Sequence, residues 1–187
     1  KDNLDQVGIK IFSCWHEVWS KTFFELKGQT QVASDNYLIQ DHIGGLFYKD
    51  ECIATVSHKT VDMSVDVYRK LSYFNNWNHQ DLNKILHKGQ SELVSTSLRM
   101  RDFARGTKLG IPVKFVVVAL MVKYFQWVQA DVLATAPRTN RNMHSICYSL
   151  GAEVIRKSVP SGHGDLVDLV GFFQSDLEKE NQRYELD

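Results

Sequence analysis

Apolar residues recur at helical spacing near the start of the chain. Ile9, Phe12, Trp15, Trp19, Phe23 and Leu26 predict an amphipathic helix over residues 5–27, ended by Gly28. Two strand-like runs follow, 43–48 and 52–58, and the charged residues Lys49, Asp50 and Glu51 between them predict an antiparallel hairpin. Residues 64–88 return to a helical pattern in two pieces. Asn78 is placed to cap the second, and Asp81 adds negative charge to its first turn. The run ELVSTSLRM, 92–100, alternates as a strand does. A polar segment, 101–110, then leads into a nearly continuous apolar helix with Pro112 in its first turn. A short strand at 131–136, a helix at 138–150 stopped by Gly151, and two strands at 152–159 and 166–173 complete the pattern. The tail from Ser175 is charged and is expected to fray. This succession predicts one α/β domain over 1–187. Its sheet is mixed and mostly antiparallel, with helices on both faces and a helical insertion at 60–89.

The apolar stretch 111–128 approaches the length that crosses a bilayer. Lys114 and Lys123 fall on roughly opposite faces of that helix, however, and charges inside a span are costly. A buried helix at the centre of an α/β domain is the better reading, and no membrane span is expected. The charged residues at 1–5, followed by Lys10, His16 and Glu17, do not resemble a secretory leader.

Composition narrows the function. Twenty-two Lys and Arg balance twenty-two Asp and Glu, which argues against nucleic acid as the main partner. Three widely separated cysteines, Cys14, Cys52 and Cys147, make neither a disulfide framework nor a zinc site. A reducing cytoplasm and chemistry without a metal are expected.

The segment with chemical character is Met100-Arg101-Asp102-Phe103-Ala104-Arg105-Gly106-Thr107-Lys108-Leu109-Gly110, between a strand end and a helix start. A turn rich in small residues there aims backbone N–H groups at one point, and the helix N-terminus adds partial positive charge. Such a turn suits a pyrophosphate, with Arg105 and Lys108 adding full charges.

This junction resembles the V-x-P-x-x-[QR]-x-x-G-x-[GA] pattern of the GNAT N-acetyltransferase superfamily. Met100 takes the Val position, Asp102 the Pro, Arg105 the Arg and Gly110 the last Gly, while Lys108 replaces the first Gly. Downstream, Asn140 through Ala152 is similar to N-x-x-A-x-x-x-Y-x-x-x-G-F, with Asn140 on the Asn, Met143 on the Ala and Leu150-Gly151 at the helix end. The resemblance implies an N-acyltransferase fold and the direct transfer of an acyl group from acetyl-CoA or a longer acyl-CoA to a small-molecule amine. It implies that Arg99, Met100, Arg101, Arg105, Gly106, Thr107, Lys108, Leu109, Gly110 and Asn140 bind the donor. Glu92 would be the base and Tyr148 the acid, although the strict alignment puts Cys147 at the acid position. His16, His58 and His144 are further base candidates. The long insertion is similar to that of acyl-homoserine-lactone and N-acyl amino acid synthases, which implies acyl carrier protein as an alternative donor. A module that binds acyl-CoA without turning it over is the remaining alternative.

Overall fold

A computed structural model describes residues 2–29, 32, 35–89, 91–106, 109–162 and 164–177. The elements in chain order are α1 (Asp2–Lys27), α2 (Asp35–Leu38), β1 (His42–Tyr48), β2 (Glu51–Asp62), α3 (Asp66–Arg69), α4 (His79–Leu86), β3 (Ser91–Met100), α5 (Val113–Val128), β4 (Val132–Thr135), α6 (Met143–Ser149), β5 (Glu153–Pro160) and β6 (Leu166–Phe173). Hydrogen bonding orders the strands β1-β2-β3-β4-β6-β5. The pairs β1–β2, β4–β6 and β5–β6 are antiparallel and β3–β4 is parallel, so the sheet is mixed and mostly antiparallel as expected. By compactness the chain divides into two units, residues 1–59 with 96–117, and residues 60–95 with 118–187.

The first unit holds α1, the β1–β2 hairpin, the end of β3 and the loop into α5. Gly28 ends α1 in the left-handed region at φ 64°, the conformation glycine adopts without strain. The inward stripe of α1 is Cys14, Trp15 and Val18, while Ile9 is exposed, against the sequence expectation. A bulge between Leu46 and Phe47 shifts the hairpin register by one residue. Ile53, Ala54, Met100, Ala104, Val113 and Val117 form this unit's apolar cluster, with Leu98 and Leu109 against it. The thiols of Cys14 and Cys52 are buried and hydrogen-bonded to each other.

The second unit is built on the helical insertion and the last strands. Phe74, Trp77 and Ile85 pack into one cluster with Val132, Ala134, Ile155, Val159, Val167, Leu169 and Phe173. Asn78 and Asp81 form a reciprocal capping box at α4, each side chain taking the other's backbone N–H at 2.9 Å. Arg156 also pairs with buried Asp81 at 3.1 Å. The sequence placed a helix over 138–150, but α6 begins only at Met143. The backbone before it is committed elsewhere: Arg138 bridges to Val167, Thr139 donates its N–H to Leu166, and Asn142 sits at φ 56°. Among the described residues no helix is long and apolar enough to cross a membrane.

Gly45 on β1 lets α1 approach closely. A Cβ there would lie 2.7 Å from Ile11 Cγ1 and 3.2 Å from Cys52 Sγ, whereas at Gly44 the nearest atom would be 3.4 Å away. Gly45→Val is therefore expected to cost about 1–3 kcal/mol in chemical denaturation through overpacking, and Gly44→Ala much less. Equal losses at both positions would show that the approach of α1 does not depend on Gly45.

Candidate active site

At the end of β3 the Arg101 N–H donates to the Ile53 carbonyl at 3.0 Å, carrying the strand's hydrogen bonding one step further. The chain then makes a 3-10 turn, Asp102–Ala104, whose Ala104 is buried in the apolar cluster beside Met100 and Val113. Apolar anchors on both sides of the loop thus fix where it leaves β3 and where it enters α5. Val116 donates to the Pro112 carbonyl at 3.0 Å, so Pro112 stands just before α5 as the first acceptor of its ladder.

The charged residues Arg101, Asp102 and Arg105 of this loop are engaged within the first unit. Arg101 pairs with Glu17 at 3.0 Å and, in closer contact, with Glu51. Arg105 donates from Nε to the Met100 carbonyl at 3.1 Å and pairs through a terminal nitrogen with Asp102 at 2.7 Å. The other Asp102 oxygen takes Lys21. Arg99 lies flat over Trp19, 3.4 Å from the ring centroid, a cation–π stack. An incoming pyrophosphate would share Arg105 with Asp102, so backbone N–H groups have the larger part in any anion cradle here.

Gly106 and Gly110 each have open space where a side chain would begin. A Cβ at either would meet nothing within 4 Å, and Gly110 sits at φ 69°, where glycine is strongly favoured. Leu109 is half-buried against the apolar cluster. Thr107 and Lys108 lie outside the described residues.

Within the second unit, β3 and β4 pair in parallel through Glu92–Val132, Leu93–Leu133 and Val94–Ala134. β4 ends at Thr135 while β3 runs on to Met100. Glu92 thus opens the paired segment, and its side chain lies outside the described residues. Asn140 is exposed in the turn before α6.

Tyr148 lies on α6, half-buried, with its hydroxyl donating to Asp168 Oδ2. Burial first, and then this carboxylate, push the hydroxyl above the ordinary tyrosine range. Burial alone would lift the Asp168 carboxyl. The hydrogen bonds from Tyr148 and the Ser158 N–H, with His144 and Lys157 nearby, outweigh it and hold the group below its usual value. Cys147, which the strict motif puts at the acid position, is buried in the interior and its thiol is pushed up to about 12.

Sequence reading missed Asp168. The available signal was a lone carboxylate inside the apolar strand LVDLVGFF, and it sits there only 3% exposed. Of the histidines, His16 is exposed, and His144 meets the Tyr148 ring edge-on with centroids 5.6 Å apart. His58 is buried on β2 opposite His42. Among the described residues no cluster of His, Cys, Asp or Glu is arranged to hold a metal ion.

The fold is similar to those of solved acyltransferase structures. An N-acyl amino acid synthase from uncultured soil microbes is similar at TM-score 0.61 and 14% identity, over 89% of this chain and 92% of its own. An agmatine N-acetyltransferase is similar at TM-score 0.61 and 9% identity, over 88% and 93%. A putative acetyltransferase from Salmonella typhimurium, solved with its cofactor acetyl-CoA, is similar at TM-score 0.52 and 13% identity, over 93% and 91%. No protein-family model matches the sequence, and no curated protein does. The fold is the GNAT acyltransferase fold.

Burial, helped by His42, pushes the His58 imidazole from 6.5 down to about 4. The unfolded chain therefore binds this proton first as pH falls. Stability unaffected above about pH 6.5 is lost progressively toward pH 4, by about 3 kcal/mol in total. Urea titrations of wild type and His58→Gln are expected to show a difference that shifts in the variant's favour across that window. A pH-independent difference would mean that His58 titrates alike in the folded and the unfolded chain.

Proposed function

We propose that this protein is an N-acyltransferase that moves an acyl group from the pantetheine thioester of an acyl-CoA to a small-molecule amine. The observation that carries this reading is the junction of β3 and α5. A parallel pair that ends after three residues is followed along the chain by Gly106 and Gly110, each with open space at its Cβ position, before a helix N-terminus, within a fold shared with N-acetyltransferases over most of both chains. The end of β3 offers backbone groups to the pantetheine arm. The turn through Arg105, Gly106, Thr107, Lys108, Leu109 and Gly110 receives the pyrophosphate, with Arg99, Met100, Arg101 and Asn140 as further donor contacts.

The amine nitrogen attacks the thioester carbonyl, whose oxygen is polarised by a backbone N–H, and the intermediate collapses with loss of thiolate. Glu92, at the start of the strand that would face the thioester, takes the nitrogen's proton, and Tyr148, one place past the motif's acid position, supplies the acid. The resemblance of the helical insertion to that of acyl-homoserine-lactone and N-acyl amino acid synthases implies a second donor, the same acyl group on acyl carrier protein. The insertion side chains Phe74, Trp77 and Ile85 are already committed to the core, so acyl length is decided by competition rather than by counting apolar residues.

The test is release of free thiol from acetyl-, hexanoyl- and decanoyl-CoA, and from the same acyl groups on carrier protein, against a panel of amines. Thiol release coupled to amide formation supports the reading. Tight donor binding without amide would make the protein a binding module instead.

Gly110→Val separates the cradle from the fold. Because a Cβ there would meet nothing within 4 Å, the variant is expected to lose about 1–2 kcal/mol of stability, mainly from the left-handed backbone. Donor affinity measured by calorimetry should fall at least about tenfold, since the N–H groups of this turn are re-aimed. Unchanged affinity in the folded variant would remove this loop from donor binding.

A further inference from the structure

The carboxylate that holds Tyr148 is built in with some care. Asp168 is the buried polar residue of β6, and its second oxygen accepts the Ser158 N–H at 2.7 Å. Ser158 lies where the β5–β6 register slips between Arg156 and Val159, and it takes a positive φ of 54°. A non-glycine residue there is strained, and the bulge aims its N–H at Asp168. The Asp168 backbone is fixed as well, its N–H donating to the Pro137 carbonyl at 3.1 Å. The carboxylate therefore has one oxygen anchored and the other on the tyrosine.

The consequence lies in the direction of the hydrogen bond. An ionised carboxylate only accepts, so the Tyr148 proton must point at Asp168. What the phenol oxygen has left is its lone pairs, made more electron-rich by a charged acceptor on its hydrogen. A pantetheine-type thiol, at about 8.5, is already more acidic than a phenol, at about 10, so passing the phenol's proton to the leaving thiolate would be uphill even in water.

We propose that Asp168 is a positioning residue that fixes Tyr148 as a hydrogen-bond acceptor, so that its oxygen receives a hydrogen bond from the attacking amine instead of giving its proton to the leaving thiolate. This rests on the acyltransferase reading and replaces one role within it. The nitrogen–carbon bond forms and the carbon–sulfur bond breaks. The nitrogen's surplus proton goes to the base, and the thiolate departs as the anion and is protonated by solvent. The other groups about the phenol are Cys147, the edge of His144, and Lys157 with Nζ 5.9 Å from the ring centroid.

Leaving-group dependence decides between the two roles. Wild type, Tyr148→Phe and Asp168→Asn are compared on an acyl-CoA and on the same acyl group carried by a more acidic aryl thiol. A tyrosine acting on the amine predicts that Tyr148→Phe loses the same factor with both donors, about 10²-fold, and that Asp168→Asn also slows both. A Tyr148→Phe deficit that vanishes with the aryl donor makes Tyr148 the acid and overturns the proposal. So does an Asp168→Asn variant that turns over like wild type while Tyr148→Phe is slow. An unchanged rate in Tyr148→Phe overturns both roles.

Ultraviolet titration of the tyrosines reads the same link without turnover. The most basic tyrosine of wild type should be missing in Tyr148→Phe and shifted down in Asp168→Asn, and no shift overturns the proposal. Should Asp168→Asn not fold, Asp168→Glu, which moves the carboxylate by one methylene, carries both comparisons. Absence of any acyl transfer by wild type is the distinct result that sinks the acyltransferase reading, and the titration then decides the hydroxyl–carboxylate link alone.

Discussion

The site of the first unit depends on the way Arg101 is held. Its guanidinium, with the side chain 17% exposed, lies between Glu17 of α1 and Glu51 of β2, while its own N–H continues the pairing of β3 to Ile53. Helix, hairpin and strand end therefore meet at one charge. A largely buried cation shared by two carboxylates holds more firmly than a fully exposed pair, because water competes less for the cation, although Glu17 and Glu51 are themselves more than half exposed. Met100 and Ala104, buried on either side, add the apolar part of the anchor. Beyond it the chain has one course, through the 3-10 turn and Gly110 into α5.

That anchor was not legible in the sequence. Arg101, Arg105 and Lys108 read together as a basic cluster suited to phosphate, because spacing along a loop says nothing about carboxylates arriving from elsewhere. Glu17 and Glu51 come from distant segments, and Asp102, next in sequence, is the partner that braces Arg105. Local signals were read more successfully. Gly28 stops α1, Asn78 caps α4 and β6 spans Leu166–Phe173, since each depends on residues within a turn or on a short continuous apolar run. The start of α6 failed for the opposite reason. Residues 138–142 were read as the first turn of that helix, but Thr139, Asn140 and Asn142 are weak helix formers and hydrogen bonds to β6 claim Arg138 and Thr139.

In the second unit the same contrast separates Tyr148 from Asp168. The tyrosine was visible through a motif, one position out of strict register. The aspartate was visible only as an anomaly, a carboxylate where the strand pattern asks for an apolar side chain. Burying such a group is expensive unless it is satisfied, and both of its oxygens are. A candidate site here consists less of conspicuous residues than of the unremarkable backbone, an N–H at Ser158 or an open turn at Gly110, that holds them in place.

Hydrogen exchange of the backbone amides, with and without coenzyme A, tests the central claim most directly, because it reads the loop itself and needs no acceptor amine. Coenzyme A is predicted to slow exchange at Gly106, Leu109, Gly110, Ile111 and the first turn of α5, and to leave the interior of β6 unchanged. Protection confined to other segments, with this loop exchanging at its free rate under saturating coenzyme A, would contradict the account.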